Sequence, residues 1–178
     1  IEHDMKLVMS LSDRIFVVDF SYHGENLELL ATKSNHVTMM DHHQKAIGAL
    51  NKMVDEDTIP ESVELLLDNE RSGAMLAWDY LYQTPYHPIV EDVGRRDLWR
   101  DNWQTDFPNA KAIHLAIQDT TMSEISLALY SDYTLKKANN NSGFYGKFVQ
   151  QGKAVVSYVN KLIADHIANG KQIIINEQ

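Results

Sequence analysis

The chain has 178 residues and a formal net charge of −9, enough length for one domain with a real core. The acidic balance excludes a long duplex nucleic acid as partner for the whole surface, because phosphate binding needs a basic footprint; it leaves room for a short nucleotide held through a metal ion. There is no cysteine, which excludes disulfides, thiolate zinc sites and cysteine nucleophiles and fits a reducing cytoplasm. No apolar run approaches the ~20 residues of a membrane span, and Ile1-Glu2-His3-Asp4 is not a basic region followed by an apolar core, so no signal peptide is expected.

Ile15 to Phe20 is short, apolar and β-branched, and reads as a buried strand. Gly24 breaks it, and Glu25 to Ala31, with Leu27, Leu29 and Leu30, reads as a helix. Val37 to Met40 is the next strand. His43 to Val54 returns to helical spacing, with Ala46, Ile47, Leu50 and Met53 on one face. Val63 to Leu67 is a third strand. Ser72-Gly73 opens a helix through Ala74, Leu76, Ala77 and Trp78, serine being a good N-cap. Pro85 and Pro88 punctuate the following loop, and Pro88 suits the first turn of a helix.

From Asn109 onward the pattern is mostly helical, with apolar faces from Ala112, Ile113, Leu115 and Ala116, then Ile125, Leu127 and Leu129. Ala138 to Gly143 is a polar loop. Phe144 to Ala168 is a long amphipathic helix that Asn169-Gly170 would end as a glycine C-cap. The predicted architecture is α/β: a parallel sheet flanked by helices, then a helical half. Trp78 and Trp99 are expected in the core. His23, His36, His87, His114 and His166 show no paired spacing and read as surface or packing residues, and Lys136-Lys137 as a solvated helix face.

The chemistry gathers after the first two strands. Val17-Val18-Asp19-Phe20 and Val37-Thr38-Met39-Met40-Asp41-His42-His43 are apolar runs ending in polar residues, one helix-length segment apart. A βαβ unit places Asp19 beside Asp41-His42-His43 at the carboxyl ends of neighbouring parallel strands, where open α/β sheets bind ligands. Carboxylates and imidazoles there suit a divalent metal such as Mn²⁺. Asp41 could equally be only a helix cap. Arg71-Ser72-Gly73 opens a helix whose N–H groups could receive a phosphate oxygen, or Gly73 could simply allow close packing.

Four blocks then stand in order: Val17 to Tyr22, Asp41 to Ala46, Arg71 to Trp78, and Arg96-Asp97-Leu98-Trp99. Together they resemble the DHH phosphoesterase superfamily, near the oligoribonucleases and distantly the RecJ-type exonucleases and family II pyrophosphatases. The resemblance implies two Mn²⁺ ions, with Mg²⁺ an alternative, and metal-activated water attacking phosphorus. It implies Asp19, His42 and Asp97 as metal ligands, Asp41 as a carboxylate orienting His42, and His43 as a contact to substrate phosphate, with His43 and Asp41 the catalytic residues; Arg71, Ser72 and Gly73 stand beside them as substrate contacts only by the helix-start reading above.

The match has departures. The family's opening metal motif is absent before Ile15; His3-Asp4 has suitable chemistry but precedes no helix. Arg95 stands where relatives often carry an acid, which leaves Asp97 as the ligand or Asp92 as a distant substitute. No Gly-Gly-Gly-His run of an accessory domain is present, so residues 1–170 read as the phosphoesterase domain and 171–178 as a strand starting towards a further one; both ends look cut. Two functions remain open, beside a plain structural α/β domain. One is an Mn²⁺-dependent hydrolase of short oligonucleotides or small nucleotide phosphates. The other is a catalytically incomplete core that binds nucleotides or proteins. A homodimer is compatible with either.

Overall fold

The computed structural model describes residues 13–99, 102–118, 120–134 and 143–170. The expectations for His3-Asp4, Lys136-Lys137, the loop at 138–142 and the strand at 171–178 lie outside these residues. Two compact units divide the chain, Ile1–Tyr86 with Val93–Asp101 and His87–Asp92 with Asn102–Gln178.

The first unit is βαβαβ. β1 (Arg14–Val18), α1 (Glu25–Ala31), β2 (His36–Asp41), α2 (Gln44–Asp55), β3 (Val63–Leu67) and α3 (Gly73–Tyr82) follow in that order. Strand order is β1-β2-β3 and both pairings are parallel. Met39 sits opposite Val17 on one side and Leu65 on the other. β2 is the central strand, and Val37 to Asp41 are all buried, as a continuous apolar run covered on both faces should be. Leu27, Met39 and Leu50 form the core, with Val17, Tyr22, Met53, Ile59, Val63, Leu65 and Leu67 packed around them. Each fully buried aliphatic side chain contributes about 1.5–3 kcal/mol.

β1 corrects the reading of a buried strand. Its burial alternates, and Phe16, Val18 and the following Phe20 are exposed. Strands that pair in sequence order leave the first one at an edge, so alternate side chains lack cover among the described residues. Phe16 keeps an edge-on contact with Tyr80 and lies under the Arg14 guanidinium.

α3 packs on β1 and β2. Its N-cap is Ser72, whose Oγ accepts from the Met75 N–H at 3.3 Å. Trp78 is buried, and its Nε1–H donates to the Thr84 carbonyl at 3.2 Å. Trp99 is not in the core: it is 69 % exposed. α4 (Pro88–Asp97) ends two residues earlier, and Trp99 takes a left-handed φ of 47° that turns it away from the helix, with the Arg96 guanidinium 5.9 Å from its ring.

The second unit contains the start of α4, then α5 (Trp103–Asp106), α6 (Ala110–Gln118), α7 (Met122–Thr134) and α8 (Gly143–Asn169). α8 packs on α6 through Tyr145, Phe148, Val149 and Gly152, against Ala112, Ile113 and Ala116. A Cβ at Gly152 would stand 1.8 Å from the Ala112 carbonyl oxygen, so only glycine permits this crossing. Gly170 does not adopt the left-handed cap conformation; its N–H points to the Ile167 carbonyl at 3.4 Å. Among the described residues no helix is long and apolar enough to cross a membrane.

Candidate metal centre

Parallel pairing brings the ends of β1 and β2 side by side. Asp19 is the first residue past β1, and its N–H donates to the Met40 carbonyl at 2.9 Å. Asp19 has a φ of 62°, a left-handed conformation that costs a non-glycine residue about 1–2 kcal/mol. His42 is the first residue past β2, and its side chain is 11 % exposed. His42 Nε2 lies 2.9 Å from Asp19 Oδ1 and 3.4 Å from Asp97 Oδ2. Nε2 is buried and makes no hydrogen bond to either.

All three predicted metal ligands therefore converge, although Asp97 arrives on the last turn of α4 rather than at a strand end. Asp97 is held above the usual carboxylate range, first by burial and then by the neighbouring Asp19 charge; His42, His43 and Arg96 oppose this. Two carboxylates facing one buried ring nitrogen repel each other, and a cation between them would remove that repulsion. The donor spacing fits one. Octahedral Mg²⁺ holds oxygens at ~2.0–2.1 Å, so neighbouring donors stand ~3 Å apart, against 2.9 and 3.4 Å here. Asp19, His42 and His43 also form the one His/Asp/Glu cluster of metal-binding geometry among the described residues, with ligand atoms within 4.8 Å of one another.

Asp41 ends β2 and is 1 % exposed. It is not a helix cap, since His43 occupies the N-cap of α2 without a side-chain bond. Asp41 Oδ1 accepts the backbone N–H of His42 at 2.7 Å and of His43 at 3.0 Å, and faces His43 Nδ1 at 2.7 Å. Oδ2 accepts the Ser21 hydroxyl. The imidazole it orients is thus His43, where His42 was expected; His42 is reached only through its backbone. The reason is local: β2 stops at Asp41, and the turn into α2 folds the ring two residues on back over the carboxylate.

Burial alone would raise the Asp41 carboxyl, but the bonds from Ser21 and His43 hold it below its ordinary value. The His43 imidazole is raised, chiefly by its bond to Asp41; burial opposes this, and the charges of Asp41, Asp19 and Asp97 add to it. The His42 and His43 rings lie 4.4 Å apart, and the His43 side chain is 57 % exposed. A half-exposed imidazole that keeps its proton can donate it to an oxygen anion.

The proposed substrate contacts at α3 are occupied within the unit. Arg71 Nε donates to Asp68 at 2.7 Å and Nη1 to Asp79 at 2.8 Å, and Tyr86 shares the Asp79 oxygen. The bonds to Asp79 and Asp68 raise the Arg71 pKa. Ser72 is buried under its capping bond, and Gly73 is buried against Asp19. Asp92, the distant alternative ligand, belongs to the second unit. It is buried there and accepts the Tyr145 hydroxyl at 2.7 Å, with Asn109 Nδ2 donating to the same hydroxyl at 3.1 Å.

Two residues of the centre carried no sequence assignment. Ser21 braces Asp41 and stands two residues after Asp19, a spacing that could have suggested it. Gly94 backs α3, and nothing local marks it. The chain matches no protein-family model, no curated protein and no solved structure.

Proposed function

We propose that the first unit is the core of a divalent-metal-dependent phosphoesterase acting on short oligonucleotides or small nucleotide phosphates. The observation that carries this reading is the buried Nε2 of His42 set between Asp19 and Asp97 without a hydrogen bond, one residue from the Asp41–His43 pair. Asp19, His42 and Asp97 would hold Mn²⁺ or Mg²⁺. Such an ion acts as a Lewis acid on phosphoryl oxygen and lowers the pKa of bound water.

The chain's own residues supply the rest. Asp41, braced by Ser21, fixes the His43 ring and stabilises its protonated form. His43 then contacts a phosphate oxygen and gives its proton to the leaving oxygen. Asp19 and Asp97 would hold the ion that makes the attacking water more acidic, and solvent would take that water's proton. The resemblance to the DHH superfamily implies the same metal ligands and the same His43 contact to phosphate, but it gave Asp41 to His42 rather than to His43. A short substrate suits a chain whose net charge of −9 repels extended nucleic acid.

A second reading is favoured by the small number of donors: a nucleotide-binding or protein-interaction module with weak metal affinity. Two carboxylates and one imidazole balance the charge of one divalent ion but fill only three of its roughly six positions, and they leave half the charge of two ions uncompensated. The test is hydrolysis of dinucleotides, trinucleotides, a cyclic dinucleotide and a nucleotide bisphosphate by the purified chain with Mn²⁺, Mg²⁺ or chelator. Metal-dependent turnover lost in His42→Ala is expected. Nucleotide binding with no turnover in any metal would favour the module and refute the enzyme.

A further inference from the structure

Two glycines flank the metal centre from behind, and each stands where a side chain could not fit. A Cβ on Gly73 would lie 2.7 Å from Asp19 Cβ and 3.0 Å from both Asp19 Cα and Oδ1. Carbon atoms rest at about 3.5–4.0 Å, so one methyl would drive Asp19 back by about 1 Å. Asp19 cannot yield by rotating its side chain, because its own Cα and Cβ are the atoms met. Its backbone is already in the left-handed region and tied to Met40.

A Cβ on Gly94 would lie 2.7 Å from Ser72 Oγ and 2.9 Å from Met75 Cγ and Sδ. Met75 is flexible, but Ser72 Oγ is the buried cap of α3. Gly94 is three residues before Asp97, on the same helix. The first turn of α3 therefore meets Asp19 through Gly73 on one side and, through Ser72 and Met75, the bare face of α4 at Gly94 on the other. Gly48 shows the contrast: it lies within α2 with nothing inside 4 Å of its Cβ position.

We propose that Gly73 and Gly94 are positioning residues whose missing side chains let the first turn of α3 set Asp19 and Asp97 around His42 Nε2. The consequence for catalysis rests on the metal-centre reading above; the geometry stands without it. Neither glycine touches the reacting atoms, and each acts through the carboxylate it makes room for.

The test is a double-mutant cycle on the 178-residue chain in chelator, joined to metal binding and an imidazole signal. Gly73→Ala should lower Tm, and the loss should be at least halved in an Asp19→Gly background, which deletes the atom 2.7 Å away and frees the backbone. At fixed pH the ¹⁵N resonance of His42 Nε2 should move in Gly73→Ala and in Gly94→Ala but not in Gly48→Ala. Calorimetric Mn²⁺ affinity should fall by about tenfold or more in the first two variants, the usual effect of disturbing a ligand's support. Equal Tm losses in both backgrounds, or an unmoved His42 resonance in Gly73→Ala, would overturn the proposal. If Gly73→Ala does not fold, recovery of folding by Asp19→Gly supports it, and failure to recover overturns it. A wild-type chain that binds no Mn²⁺ would refute the metal reading, while the cycle and the resonance would still decide the positioning claim.

Discussion

Removing the Asp41 carboxylate tests the centre without any metal. Asp41→Ala deprives four donors of their acceptor: the backbone N–H groups of His42 and His43, the His43 ring and the Ser21 hydroxyl. The Ser21 hydroxyl and the His43 ring can turn to other acceptors or water. The two backbone groups cannot, and an unsatisfied buried donor costs about 1–3 kcal/mol, so the loss is about 2–6 kcal/mol. Against the ~5–15 kcal/mol of a typical domain, that is a large share.

Asp41→Asn keeps one oxygen in place for the N–H groups, and its amide can donate to Ser21 Oγ. It loses only charge assistance, so its cost should stay near ~1–2 kcal/mol. Urea unfolding at neutral pH in chelator measures both. The folded pKa of Asp41 is lowered, so its stabilisation is present above the unfolded value of 3.8 and fades as pH falls through the folded value. The gap between wild type and Asp41→Asn should therefore persist at pH 5 and shrink only below pH 3.8. Asp41→Ala within ~1 kcal/mol of wild type at neutral pH would refute the bonding described here.

Asp41→Asn should also shift activity. His43 is raised by its Asp41 bond, so its proton is held below 6.5 and lost as pH rises through the folded value; the variant should lose rate at lower pH than wild type, read from the alkaline limb of kcat. Asp19→Ala should leave far-UV circular dichroism unchanged and cut metal-dependent hydrolysis below about a tenth; a larger residual rate would contradict Asp19 as a ligand. Gly152→Ala should cost more than about 3 kcal/mol by urea unfolding, because the Ala112 carbonyl 1.8 Å away is backbone and neither helix can give locally. Tyr145, pushed up to about 12 by burial and by its bond to Asp92, stabilises the fold below pH 10, and that contribution is lost as pH rises to about 12. Tyr145→Phe should remove this alkaline unfolding step while weakening the fold at neutral pH.

The strands and helices of the first unit are legible in the chain. Val37 to Met40 is apolar without a break and becomes the central strand; Ser72 caps, and Leu27 with Leu30 buries one helix face. Asp19 and His42 meet because two strands of similar length run parallel with a helix between them, a relation that period and spacing carry. Other features depended on which surfaces came together. Ile15 to Phe20 has the composition of a buried strand, yet burial is settled by neighbours, and β1 has a strand on one side only among the described residues. Trp99 follows a helix end whose φ of 47° no composition reveals. Asp41 chose the ring of His43 through a turn geometry that three adjacent polar letters leave open. Gly73 and Gly94 look like any helical glycines, while Asp92 and Tyr145 are 53 residues apart. Local pattern encodes which face of an element is apolar; close approach of atoms from distant segments is a property of the packed fold, and the centre's geometry is made of such approaches.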